Sequence, residues 1–133
     1  MSYTPLQDTF RVVSITACGT ALGDPIGGSI DTTVEFLENR PGTRLSPATC
    51  IQSFSASGTA KYQTQQAPVT PGTAGSFVVT VLGIDGSTSI AVTLATCIAG
   101  GTKMDFNSEK HSNTFDCRYN AGNTENLAPV SVG

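Results

Sequence analysis

Residues 75–98 constrain this chain most: two apolar stretches flank Asp85-Gly86, a dipeptide suited to the positive φ angles of a tight type I′ hairpin turn. With Asp85 and Gly86 as the loop, Ile84 faces Ser87 and, counting outward, Val81 faces Ile90, Val79 faces Val92 and Phe77 faces Leu94. The last three pairs share one face. The other face pairs Leu82 with Ser89, Thr80 with Ala91 and Val78 with Thr93, and is smaller and more polar. A slip of one residue would turn the apolar set outward, so turn chemistry and period-two alternation demand the same register.

The same period recurs along the chain. In 9–18, Phe10 and Val12 share a side with Cys18, while Val13 and Ile15 take the other. In 30–37, Ile30, Thr32, Val34 and Phe36 alternate with Asp31, Thr33, Glu35 and Leu37, the pattern of a half-buried strand. Within 50–62, Cys50, Phe54, Ala56, Ala60 and Tyr62 lie on one side, and Gly58 marks a bulge or bend. Phe115, Cys117 and Tyr119 form another one-sided strand, Lys103 to Phe106 a short one with Met104 and Phe106 inward, and Pro129 to Val132 an edge strand. Gly/Pro/Ser/Thr-rich connections at 19–29, 38–49, 66–75, 99–102 and 120–128 separate them, and the one helix candidate is a turn near 107–112. Ser and Thr fill 32 positions against Leu 7, Lys 3, Glu 4 and Met 2, which argues against a helical bundle. Parallel sheets would need crossovers the chain does not offer. The expectation is an all-β, antiparallel sandwich or barrel of about seven or eight strands with long loops, one domain over 1–133.

Net charge is −3, and the seven Lys and Arg are scattered with no run of three, so the cation cluster that nucleic-acid binding needs is missing. The start, Met-Ser-Tyr-Thr-Pro-Leu-Gln-Asp, lacks the basic and apolar regions of a secretory signal, and no window approaches the ~18 apolar residues of a membrane helix. Cytosolic synthesis, with neither membrane nor nucleic acid as partner, is expected. Cys18, Cys50, Cys97 and Cys117 are spaced 32, 47 and 20 residues apart, which rules out Cys-x-x-Cys metal or redox motifs. Buried free thiols are the favoured reading, although four cysteines also allow three disulfide pairings.

Candidate chemistry is thin. His111 is the single histidine, so any general acid–base scheme runs through it, with Asp105, Ser108, Glu109, Ser112 and Asp116 nearby in sequence and Cys97 and Cys117 as conceivable partners. A surface-loop histidine explains that setting as well. Gly100-Gly101-Thr102-Lys103 resembles the end of a phosphate-binding loop, but Cys97 stands where the leading glycine belongs and Met104 follows Lys103, so a chain reversal after strand 88–98 is the expected role of the glycines. Asp31 with Glu35, or Glu35 with Glu38, could pair carboxylates for sugar hydrolysis, and Tyr62 and Tyr119 could face a glycan. Asp24, Asp31 and Asp85 fit turns and strand rims better than calcium loops. No catalytic, cofactor or metal residue is assigned.

A small, charge-poor, Ser/Thr-rich β chain without a catalytic constellation resembles the small virion components of tailed bacteriophages, capsid decoration or tail-tube subunits. That resemblance implies a non-enzymatic structural protein, located in the virion, that forms homo-oligomers and meets other virion proteins. Its contacts would be edge strands, the loops 19–29, 38–49 and 66–75, and exchangeable arms at 1–8 and 127–133. The alternatives are a lectin-like binding module using Tyr119 and the 120–126 loop, and a small hydrolase using His111.

Overall fold

The computed structural model describes residues 11–40, 42, 45–46, 48–83, 86–107, 111–120 and 127–133. It contains β1 (Arg11–Ala17), β2 (Thr20–Leu22), β3 (Pro25–Asn39), β4 (Ala48–Tyr62), β5 (Ala74–Leu82), β6 (Ser89–Asp105), β7 (Ser112–Tyr119) and β8 (Val130–Val132), with no helix among the described residues. All eight belong to one antiparallel sheet in the order β2-β1-β5-β6-β7-β4-β3, with β8 paired to β6. The sheet curls on itself. A Cβ on Gly28 of β3 would stand 3.3 Å from Val79 Cγ2 and 3.5 Å from Ile15 Cδ1, although β3 lies at the opposite end of the strand order from β1. Gln66 closes the roll: its Oε1 accepts from the Gly23 N–H at 3.0 Å while its Nε2 donates to Ala21 O at 3.0 Å.

The β5–β6 ladder has the register expected from alternation, Phe77 with Leu94, Val79 with Val92 and Val81 with Ile90. Phe77, Val79 and Leu94 are buried. Gly83 N–H donates to Thr88 O, and Gly86 takes φ 76°. Ile84 and Asp85, and with them the expected contact of Ile84 with Ser87, lie outside the described residues. A two-residue turn with both φ positive occurs at Cys18 and Gly19, φ 51° and 85°, where Ala17 pairs with Thr20. The expected loop 19–29 is therefore largely strand, holding β2 and the start of β3.

Bulges account for most departures from strict alternation, because one extra residue switches which side chains face inward. Val13 is the extra residue in β1, so Val12 and Ile15 share the core face rather than taking opposite sides, and Val13 points out. In β6 an extra residue near Thr96, which has φ 55°, lets Leu94 and Cys97 both turn inward. The Gly100-Gly101 pair does not reverse the chain. β6 runs through it to Asp105, with a second bulge between Ala99 and Thr102, and a Cβ on Gly100 would sit 2.6 Å from Asp116 Oδ1. The separate strand at 103–106 is thus the end of β6, and Phe106 beyond it is exposed rather than inward. Gly58 is in regular register between Ile30 and Cys117, not at a bend, and is glycine because Phe77 crosses it. Of the expected helical turn, Ser112 begins β7 and 108–110 lie outside the described residues.

The core gathers Ile15, Ala17, Leu22, Ala56, Ala60, Tyr62, Phe77, Val79, Leu94, Ala99 and Phe115 with three cysteines. Phe77 and Phe115 stack at 6.4 Å between ring centroids. Val69 also enters the core, and the 66–75 connection extends the sheet, with Gly72 N–H donating to Ala99 O and Ala99 N–H to Thr73 O. Val69 thus anchors a connection that is otherwise mostly exposed.

Candidate functional site

β3 and β4 pair over their whole length, from Pro25 opposite Tyr62 to Asn39 opposite Ala48, but β7 accompanies β4 only along Ser57–Tyr62. Beyond that fork, 32–39 and 48–56 form a two-stranded ribbon, about 30 Å long at ~3.3 Å per residue. Two strands alone bury too little apolar surface to be stable in water. The ribbon nevertheless carries apolar side chains. Pairing of Val34 with Phe54 and of Phe36 with Ile51 continues the row that starts in the core at Ile30. The extra residue in this stretch is Gln52 of β4, so the row stays on one face. Phe54 is anchored at its base by an edge-on contact with Tyr119, centroids 6.1 Å apart. Outward, Phe36 is 62% exposed and Ile51 46%. The opposite face carries Asp31, Thr33, Glu35, Ser53, Ser55 and Ser57, and only near its end Leu37 opposite Cys50. Period-two reading anticipated strands here but placed Phe36 and Cys50 inside; the structure exposes both because no other strand of the described residues covers this stretch. Leu45, in the 38–49 connection, is fully exposed.

The candidate reaction groups are not brought together. His111 is exposed and stacks edge-on against Phe106 at 5.8 Å. Asp116 is four residues along β7 from Ser112, about 13 Å away at ~3.3 Å per residue, and Cys97 and Cys117 are buried in the core, so none of the three can serve His111. Asp105 is paired with Ser112 and has Lys103 Nζ at 4.0 Å, while Ser108 and Glu109 lie outside the described residues. Asp31 and Glu35 are likewise about 13 Å apart along β3, beyond the ~5–9.5 Å of glycosidase pairs, and Glu38 lies at an odd spacing from Glu35, on the other face. Glu35 instead accepts from Ser53 Oγ at 3.2 Å. Tyr62 is fully buried and Tyr119 is spent on Phe54, so neither offers an open stacking platform; the 121–126 part of the glycan-loop expectation lies outside the described residues. Asp24 sits in a turn with φ 52° and accepts from Thr64 Oγ1 at 2.7 Å. Among the described residues no cluster of His, Cys, Asp and Glu is arranged to hold a metal ion.

All four cysteines are free thiols, and Cys18, Cys97 and Cys117 are buried. Burial, then the charge Cys97 would carry, pushes the Cys18 thiol up, and burial pushes the Tyr62 phenol up. Donation to Cys97, together with burial, holds Cys117 protonated, whereas accepting that bond lowers Cys97. An acid whose folded-state pKa is raised stabilises the fold below its unfolded value, and that stability is lost as pH rises above it. Two thiols and a phenol are raised against one thiol lowered, so the urea midpoint is expected to fall as pH rises above the ordinary thiol value of about 8.5. A midpoint that stays constant or rises there would contradict it.

No family model and no curated protein matches the chain. Solved structures do. This fold is shared with chains of the anti-feeding prophage. A chain of the anti-feeding prophage cap, the tube-terminating cap, superposes with a TM-score of 0.66 at 10% identity, covering 100% of this chain and 93% of that one. A chain of the six-fold symmetrised anti-feeding prophage baseplate gives 0.57 at 13% identity, covering 100% and 97%. At such identities the likeness is one of fold.

Of the expected contact elements, 1–8 lies outside the described residues. Segment 127–133 docks on its own chain: β8 pairs with β6 from Val92–Val132 to Leu94–Val130, and Ala91 and Gly133 exchange backbone bonds of 2.8 and 2.9 Å.

Proposed function

We propose that this chain is a non-enzymatic structural subunit of a phage-tail-like particle, assembling with copies of itself and neighbouring particle proteins. The observation that carries this reading is the full-length sharing of fold with a tube-cap chain and a baseplate chain. Neither comes from a capsid, which favours a tail role over capsid decoration. The ribbon supplies the physical means. Its apolar row is continuous with the core yet uncovered in the single chain, and the β4 edge along 48–56 has no strand beside it other than β3 among the described residues. A neighbour that covers the row and completes that edge gains buried apolar area and backbone bonds together. The 127–133 arm can add to this by exchange, because the bonds β8 makes to its own β6 are backbone bonds that the same segment of a neighbour makes equally well.

The test is light scattering over a concentration series for the wild type and for the double variant Phe36→Asp, Ile51→Asp. Each side chain is worth roughly 1.5–3 kcal/mol when fully buried, so the double change should weaken assembly at least about 100-fold. Folding should be untouched, because both residues are outside the core. A wild type that stays monomeric at every concentration, or a double variant that assembles equally well, would refute the proposal.

A further inference from the structure

We propose that the roll encloses an ordered water molecule at the end where β4, β6 and β7 meet, held by Tyr62, Asn113 and Thr102. Three side-chain atoms of the described residues are buried without a hydrogen-bond partner: Tyr62 Oη, Asn113 Oδ1 and Thr102 Oγ1. They are not scattered. Tyr62 on β4 is directly opposite Asn113 on β7, and Asn113 is in turn opposite Met104 on β6, two residues along from Thr102. Thr102 pairs with the wholly buried Phe115, so Thr102, Asn113 and Tyr62 all belong to the inward face of the sheet. Tyr62 and Asn113 are each 0% exposed.

The Asn113 amide is already oriented by a second contact. Its Nδ2 donates to Thr64 O at 3.1 Å, which fixes Oδ1 as an acceptor in need of a proton. Thr64 belongs to the connection that closes this end. Further along it, Gln66 grips Gly23 and Ala21, and Val69 is buried, so the three atoms are cut off from bulk solvent.

A polar group left unpaired in a core forfeits its hydration with nothing in return, and native cores hold few of them. One water answers all three. It donates to Asn113 Oδ1 and accepts from the Tyr62 and Thr102 hydroxyls, three bonds in all, the usual number for an internal water. The spacing suits it. Diagonal positions on neighbouring strands, such as Thr102 and Asn113, stand ~7–8 Å apart, better spanned by two hydrogen bonds in series through a water than by one direct bond. All three groups are uncharged, as the site of a neutral ligand requires.

Two measurements on the full chain test this: a crystal structure at a resolution that shows ordered water, and urea denaturation of Tyr62→Phe beside the wild type. The expected density lies within about 3.2 Å of both Tyr62 Oη and Asn113 Oδ1. Phenylalanine keeps the ring and removes one of the water's partners, so the urea midpoint of Tyr62→Phe should fall by about 0.5 M, the size of one lost hydrogen bond. A dry, orphaned hydroxyl has the opposite signature, because phenylalanine would then relieve an unpaired polar group and raise the midpoint. No density at that place, a direct bond between Tyr62 Oη and Asn113 Oδ1, or a midpoint unchanged or raised in Tyr62→Phe overturns the proposal.

Discussion

Replacing Val79 by aspartate should unfold the protein or strongly lower its melting point. Val79 is buried on the apolar face of the β5–β6 hairpin, directly opposite Val92, with Ile15 beside it on β1 and Gly28 so near that an added Cβ there would stand 3.3 Å from its Cγ2. Nothing within that group accepts or donates to a carboxylate. The variant loses the burial of the isopropyl group and gains an unpaired charge or, by protonating, an unpaired acid. The expected loss is about 4 kcal/mol or more, a large fraction of the ~5–15 kcal/mol by which domains are stable. The circular dichroism melt should show no cooperative transition, or a midpoint lowered by more than about 15 °C, since 1 kcal/mol moves a domain of this length by several degrees. Melting like the wild type would mean that this face is not core, and the strand register would fall with it.

Gly58→Val is the second large effect, and its cause is steric rather than electrostatic. A Cβ at position 58 would stand 2.7 Å from Phe77 Cδ1 and 3.1 Å from Cys117 Sγ. Phe77 is fully buried and backed by Phe115, so its ring cannot retreat. Alanine should cost about 2 kcal/mol or more through overpacking, and valine enough to abolish folding. The discriminating measurement is a double-mutant cycle by urea denaturation. Phe77→Leu removes the crowded ring edge, so Gly58→Ala should cost at least about 1 kcal/mol less in that background than in the wild type. Strict additivity would place the clash elsewhere.

Both positions show what period-two reading can and cannot reach. The β5–β6 register was legible because alternation and turn chemistry spoke for the same pairing over several residues on each side. Gly58 was legible only as a glycine in a strand: the sequence says that a side chain is unwelcome, while the reason, a phenylalanine from β5 crossing it, is a contact between strands apart in the sheet order. Bulges were the other obstacle. One extra residue at Val13, Thr96 or Gly100-Gly101 shifts every following side chain to the other face, and β6 could therefore pass for two strands with a reversal between them. The ribbon was hidden for the opposite reason. Phe36 and Ile51 keep the alternation that core strands show, and alternation alone records which face is apolar, not whether the same chain covers it. The signal available was length: two strands of 15 residues joined by a short connection exceed the usual five or six.

The continuity of β4 has a mechanical consequence. A single strand of 15 residues carries Ile51 at one end and the wholly enclosed Tyr62 at the other, with the same backbone serving both. Clamping its outer portion would therefore restrain the inner portion as well, because the enclosed half cannot unravel without tugging on the clamp. A captured copy should exchange its core amides more slowly than a solitary one, and durability would become a property conferred by company rather than by the individual molecule.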